Sequence, residues 1–166
     1  MKTFYSTAII FVFLLVCTNV IQAQTPQAKL NQVELEKQFI GTWKSEIAKD
    51  TIMYAEFTQF GLMKGNIKVV TKDKILDSGE ELFGYDKESD KSIQVTVWKS
   101  STDIEINAWQ FVSKNIKVGV PLKDISNRPN ATLKFKIEFK SPDLWVMTTL
   151  QNNQVVGTVT MTRVKK

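Results

Sequence analysis

The sequence contains no histidine, and its single cysteine, Cys17, lies close to the start of the chain. The lack of histidine removes the commonest general base, the Ser–His and Cys–His nucleophile pairs and the commonest metal ligand. A glycine-rich phosphate-binding loop is missing as well. We therefore expect a protein that is not an enzyme and that needs neither a metal ion nor a cofactor.

Carboxylates are the remaining candidates for chemistry. Asp86, Glu88 and Asp90 have the spacing of calcium ligands, but their segment lacks the glycine and the terminal glutamate of an EF-hand loop. A solvated hairpin turn is the better interpretation. Glu56 and Glu105 each stand between apolar residues and are expected on the wet face of their strands. An enzyme that uses carboxylates is therefore the least favoured functional class.

The first residues have the pattern of a cleavable export signal. Lys2 gives a positive start, residues 8–16 are apolar, and Ala23 offers a small residue for cleavage. The apolar run is shorter than the roughly 20 residues that span a membrane, so stable membrane insertion is not expected. We predict a signal peptide over residues 1–23 and one domain over residues 24–166, located in the periplasm or secreted.

The position of Cys17 bears on anchoring and on stability. A lipid-attachment cysteine normally follows a small residue, and Val16 is not small, so lipoprotein anchoring is not expected. After cleavage the chain contains no cysteine. The exported domain is therefore expected to be held together by its core rather than by disulfides.

The positive charges are scattered along the chain. The net charge is +5, and Lys134, Lys136 and Lys140 alternate with apolar residues in one segment. This alternation is typical of a solvated strand face, whereas a nucleic-acid site needs clustered charge. Nucleic acid is not expected as a partner.

A period of two in the apolar residues begins near residue 41, after a short helix predicted over residues 30–39. Faces that alternate between buried and wet are typical of antiparallel sheets. We predict an all-β fold, an antiparallel up-and-down β-barrel of about eight to ten strands with the helix across one end; a two-sheet sandwich is the alternative. The predicted strands are 41–47, 52–59, 62–71, 80–86, 92–100, 103–113, 115–120, 131–140, 143–151 and 154–164.

Two short motifs carry a family resemblance. Gly41-Thr42-Trp43 at the start of the first strand resembles the Gly-x-Trp signature of lipocalins and fatty-acid-binding proteins, the calycins. Arg163 in the closing strand is similar to the arginine that lies near this tryptophan in those families. Only residues 48–51 separate the first two strands, which favours the lipocalin side. The chain thus resembles a small exported bacterial lipocalin-like protein.

The resemblance implies a structural cluster of Gly41, Trp43 and Arg163 that closes the barrel. Alternation places Arg163 on the more apolar face of its strand, where a charged side chain needs a partner. Stacking on the Trp43 indole is one solution. Binding of a ligand carboxylate is the other.

A ligand inside the barrel is the functional expectation that follows from the resemblance. We predict non-catalytic binding of a small apolar or amphipathic molecule in a pocket of roughly 300 Å³ or more, with Arg163 or Lys165 holding an acidic head group. The alternative is an envelope interaction or structural module with a filled barrel. Three tryptophans lie on the strand faces opposite the more aliphatic rows: Trp98, Trp109 and Trp145. They form either a second packing layer or an exposed patch for a partner. If the inward and outward faces are the reverse of this assignment, they line the cavity instead. The predicted apolar ligand contacts are Phe57, Val95, Ile106, Phe135, Ile137, Val146, Val159 and Met161.

Overall fold

The chain folds into one closed, antiparallel barrel of ten strands, so the predicted all-β up-and-down barrel is confirmed. The computed structural model describes residues 29–165; the predicted signal peptide and Cys17 lie outside them. Each strand pairs with its neighbours along the chain, and the last strand pairs with the first. The helix α1 (Gln32–Glu36) and a 3-10 turn (Lys37–Phe39) precede β1 (Gly41–Ala48), β2 (Thr51–Thr58), β3 (Met63–Val70), β4 (Ile75–Asp86), β5 (Lys91–Trp98), β6 (Ile104–Ser113), β7 (Ile116–Pro121), β8 (Leu133–Ser141), β9 (Leu144–Gln151) and β10 (Gln154–Arg163).

Two predicted segments differ from the structure. β4 begins at Ile75 rather than at Glu80. Gly79 is part of this strand because its missing side chain makes room for the Trp98 ring, which would come within 3.0 Å of a Cβ atom there. Residues 123–130, which the turn-forming Asn127, Pro129 and Asn130 predict as a loop, belong to 3-10 turns over Leu122–Asn130 between β7 and β8.

Left-handed backbone conformations make the tightest hairpins. Asn152 and Asn153 connect β9 to β10 with φ angles of 51° and 64°, as in the two-residue turns that match strand twist. Asp50 and Asp90 also have positive φ angles in their turns. Asparagine and aspartate tolerate this region better than other residues with a Cβ atom, which explains why the chain uses them at these positions.

The N-terminal helix covers one end of the barrel, which we call the helix end. Asn31 caps α1 by accepting a hydrogen bond from the Glu34 backbone amide. Gln32 joins the helix to β6 through two hydrogen bonds with the Phe111 backbone, of 2.7 and 3.0 Å. The opposite end, which we call the loop end, carries the connection over residues 122–132. Within residues 29–165, none of the helices has the length and apolar character to cross a membrane.

Aromatic side chains fill the helix end. Trp43 is fully buried, and its indole nitrogen donates a 2.7 Å hydrogen bond to the Phe39 carbonyl. Phe39 also makes edge-to-face contacts with Phe139 and Trp145, with ring centroids 4.9 and 5.7 Å apart. Such contacts stabilise by about 0.5–1.5 kcal/mol each beyond the area they bury. This end of the barrel is solidly packed, which leaves the interior space nearer its middle.

Candidate functional site

A cavity lies inside the barrel beyond the aromatic layer of the helix end. Its volume is about 200 Å³, so it is smaller than the predicted 300 Å³. The difference arises because Trp98, Trp109 and Trp145 all point into the barrel and line the cavity. Of the three interpretations that the sequence left open for these tryptophans, the cavity lining is the one that the structure shows.

Five of the predicted apolar contacts lie inside the barrel. Phe57, Phe135, Ile137 and Met161 line the cavity, and Val159 packs against the core beside them. They come from β2, β8 and β10, strands whose cavity-lining residues are all apolar. On these strands the hydrophobic alternation identified the buried face correctly.

Val95, Ile106 and Val146 lie on the outer face, contrary to the prediction. Ile106 is 38% exposed, and Val146 alternates with two cavity-lining residues of β9. The more aliphatic rows of β5 and β6 face outward, and their inward rows combine tryptophans with polar residues. Hydrophobicity alone therefore selected the wrong face, because the polar residues of the inward row are hydrogen-bonded to one another.

The polar residues form one continuous wall of the cavity on β4, β5 and β6. Gln94 stands at its centre: its amide nitrogen donates to Glu81 over 2.6 Å, and its oxygen accepts from the Trp109 indole over 2.6 Å. Thr96 donates to the same Glu81 oxygen over 3.4 Å. Asn107 lines the cavity as well. Burial raises the pKa of Glu81 to about 7, against the lowering effect of Gln94.

Glu105 occupies the mouth of this wall. The sequence placed it on the wet face of β6, but it lies on the inward row with Asn107 and Trp109 and lines the cavity from its exposed position near the loop end. The tryptophan of this row lies against Gly119 of β7, where a Cβ atom would come within 2.4 Å of the ring. Glycine at this strand position is what allows the large ring to lie inside the barrel.

A buried ion pair stands between the polar wall and the helix. The Lys117 ammonium on β7 lies 2.7 and 2.8 Å from the two carboxylate oxygens of Glu36 on α1. Both side chains are 2% exposed. Desolvation lowers the pKa of Lys117, and the nearby Glu36 carboxylate opposes this effect. The alternation of the sequence gives no signal for this pair, because its members are 81 residues apart.

The structure brings Gly41, Trp43 and Arg163 together at the helix end. The guanidinium carbon of Arg163 lies 4.1 Å from the centroid of the Trp43 ring. Its nitrogens donate to the carbonyls of Ile40 and Gln38 over 2.6 and 3.0 Å. Gly41 has a φ of 127°, and a Cβ atom there would come within 2.5 Å of the guanidinium.

This cluster is separate from the cavity. Arg163 also lies 3.3 Å from Asp143, so its donors are occupied by the protein. Lys165 is 83% exposed and likewise near Asp143. Neither side chain lines the cavity, so the structure contradicts the prediction that they face an acidic head group inside it.

Methionine is the most characteristic residue of the apolar wall. Met53, Met63, Met147 and Met161 are all the methionines of the described part of the chain, and each one lines the cavity. Thioether side chains are flexible and polarizable, and they adapt to irregular apolar shapes. Their concentration here gives the cavity one compliant apolar wall opposite the hydrogen-bonded polar wall.

No protein-family model, curated protein or solved structure matches the chain. Its class is therefore the one that the fold defines, a closed antiparallel β-barrel protein of ten strands with an interior cavity. Over residues 29–165, no group of three or more histidine, cysteine, aspartate or glutamate side chains is arranged to hold a metal ion.

Proposed function

We propose that the barrel binds a small amphipathic molecule in its interior, without catalysis and outside the cytoplasm, as a lipocalin-like protein of the calycin type. The observation that carries this proposal is the two-sided cavity, in which four methionines face a wall of hydrogen-bonded polar side chains. Ligand pockets are typically apolar with a few convergent polar groups that orient the ligand. The export signal predicted over residues 1–23 supports a location outside the cytoplasm.

The size of the cavity limits the ligand. Its volume of about 200 Å³ is below the 300–1,000 Å³ that is typical of sites for drug-sized molecules. A ligand with a short alkyl chain and one polar group matches this space. Extended fatty acids and retinoid-like molecules do not, unless part of the chain leaves the barrel at the loop end.

A second candidate, an envelope interaction module, is favoured by the outer surface near the loop end. Ile104 of β6 is 63% exposed there, and Val97, its cross-strand partner on β5, is 46% exposed. Exposed apolar residues in proximity are a common feature of partner surfaces. This candidate requires no ligand inside the barrel, so a binding experiment separates it from the first.

Titration with octanol tests the proposed function, with tryptophan fluorescence as the readout because three indoles line the cavity. We expect saturable binding. The substitution Ala55→Leu adds bulk at a buried cavity-lining position and should weaken binding by about tenfold or more, since a filled site must repack to admit the ligand. Val97→Leu on the exposed outer face is the matched control and should leave affinity unchanged.

Native mass spectrometry of the protein purified from its own host supplies the complementary test. A co-purifying small molecule of the expected size would support the proposal. No bound molecule, together with no fluorescence response to octanol or to a panel of other short-chain amphiphiles, would leave the interaction module as the better account.

A further inference from the structure

We infer that the polar group of the ligand is a cation with N–H donors, a primary amine, and that it binds the Glu81 carboxylate. The inference rests on the proposed function and names the chemical class of its ligand. It replaces the acidic head group expected from the sequence. Three observations carry it: the free acceptor on Glu81, the balance of charge around the cavity, and the aromatic rings beside the carboxylate.

The first observation is an acceptor that the protein leaves open. Glu81 is 8% exposed and lines the cavity. Its Oε1 atom accepts hydrogen bonds from Gln94 and Thr96, whereas its Oε2 atom accepts none from the described residues. A carboxylate oxygen that lines a cavity and receives no hydrogen bond from the protein is a ready acceptor for a ligand N–H group.

The orientation of Gln94 fixes this acceptor. Because the Trp109 indole can only donate, it sets the Gln94 amide oxygen toward itself and the amide nitrogen toward Glu81. The carboxylate is thereby held by hydrogen bonds from β5 before any ligand binds. Such preorganisation lowers the entropic cost of binding.

The second observation is an excess of negative charge around the cavity. The charged groups that act on the Glu81 carboxyl from across the barrel are Lys117 on β7 and Glu105 on β6. The neighbouring strand β5 presents the neutral Gln94 and Thr96. The Lys117 ammonium is already paired with both oxygens of Glu36. Because Lys117 is balanced by Glu36, the carboxylates Glu81 and Glu105 leave the cavity lining with an excess of negative charge, and neither forms a salt bridge with another residue of 29–165. A ligand ammonium completes this arrangement, whereas a ligand carboxylate is repelled by it.

The third observation concerns the walls beside the carboxylate. Phe83 and Trp109 lie within the cavity lining, and both rings already approach one ammonium, that of Lys117, with centroid distances of 5.2 Å. Aromatic faces attract cations when water is excluded. The pKa of Glu81, raised by burial to about 7, is consistent with a carboxylate that lacks a counter-ion until a ligand brings one.

Three ligands with the same alkyl chain test the inference: octylamine, octanol and octanoate. At about pH 8, where the Glu81 carboxyl is mostly ionised, we expect octylamine to bind about tenfold or more tightly than octanol, and octanoate to bind most weakly. Glu81→Gln should remove the preference, so that octylamine binds the variant no more tightly than octanol does. Glu80→Gln, on the neighbouring outward position with an exposed side chain, is the matched control and should preserve the preference.

A measurement on the unmodified protein keeps the inference testable even if Glu81→Gln does not fold. Octylamine stays protonated through neutral pH, so its affinity should fall by up to about tenfold per pH unit below pH 7 as Glu81 takes up a proton. The affinity for octanol should not change in this way. Equal binding of octylamine and octanol, or tightest binding of octanoate, would overturn the inference alone. Binding of none of the three would overturn the proposed function together with it.

Discussion

The ammonium of Lys117 and the carboxylate of Glu36 form an ion pair inside the barrel, with an N–O distance of 2.7 Å. Ser92 donates a further hydrogen bond to the same carboxylate. The pair joins the helix α1 to strand β7 and forms the inner border of the polar wall. Because both charges are buried away from water, each one destabilises the fold unless the other is present to compensate it.

Removing one member of this pair should be costly. Lys117→Met leaves the Glu36 charge buried without a counter-ion, and we expect it to lower the free energy of unfolding by about 3–5 kcal/mol. The double variant Glu36→Gln/Lys117→Met removes both charges and should recover most of this loss. Urea unfolding of both variants measures the effect. A double variant that is less stable than the single one would contradict this account.

The helix-end cluster gives a second prediction. Arg163→Ala removes a packed and paired side chain from the Trp43 ring and should destabilise by about 1–3 kcal/mol. Arg163→Lys keeps the charge but not the planar stacking, so its loss should be intermediate. Thermal unfolding checks both variants. An unchanged melting temperature for Arg163→Ala would show that the side chain contributes nothing to closure of the barrel.

The Glu81 carboxyl should make stability depend on pH. Its pKa of about 7 in the fold exceeds the ordinary value of 4.5, so the folded state binds more protons than the unfolded state between these values. The contribution of Glu81 to the free energy of unfolding is therefore greatest below pH 4.5, and it is lost as the pH rises to 7. At about 1.4 kcal/mol per pH unit, the decline is about 3 kcal/mol at most.

Glu81→Gln isolates this contribution. The variant should lack the decline in stability between pH 4.5 and 7. The difference in unfolding free energy between the variant and the unmodified protein should therefore change across that interval and stay constant above pH 7. Urea unfolding at a series of pH values measures the difference. A difference that is independent of pH would show that Glu81 titrates normally in the fold.

Two buried indoles provide a matched comparison. The Trp109 nitrogen donates to Gln94 over 2.6 Å, whereas the buried Trp145 nitrogen has no acceptor among the described residues. Replacement by phenylalanine removes similar volume at both sites, but only Trp109→Phe leaves a partner unpaired. We expect Trp109→Phe to cost about 1–3 kcal/mol more than Trp145→Phe in chemical denaturation. Equal losses would mean that the Gln94 bond adds no stability.

The sequence predicted the fold better than the site, for a physical reason. The alternation around Phe135 and Ile137 identifies the inward face of β8 because the core there is apolar throughout. On β5 the inward row contains Gln94 and Thr96, which are buried because they hydrogen-bond to Glu81 on the neighbouring strand. A single strand carries no record of such cross-strand partners, so its aliphatic row was assigned to the interior.

The same limit applies to charge. Arg163 stood out in the sequence because it follows an apolar row and has a candidate partner in the Gly-x-Trp motif. Lys117 and Glu36 stand among other charged residues and are joined only by the closure of the barrel and the position of α1. Trp98 and Trp109 carried a usable signal, since a large ring among polar neighbours is compatible with an inward row that is both aromatic and polar.

Methyl NMR of protein labelled at methionine and isoleucine methyl groups tests the central claim, that a ligand enters the barrel, most directly. Met53, Met63, Met147 and Met161 all line the cavity, and the labelled Ile104 methyl on the exposed outer face serves as the control. On titration with octylamine, the account predicts that these four methionine signals shift with one saturating affinity and show contacts to the alkyl chain, while the Ile104 signal stays in place. Shifts confined to Ile104 and its exposed neighbours, with the four methionine signals unmoved, would contradict it.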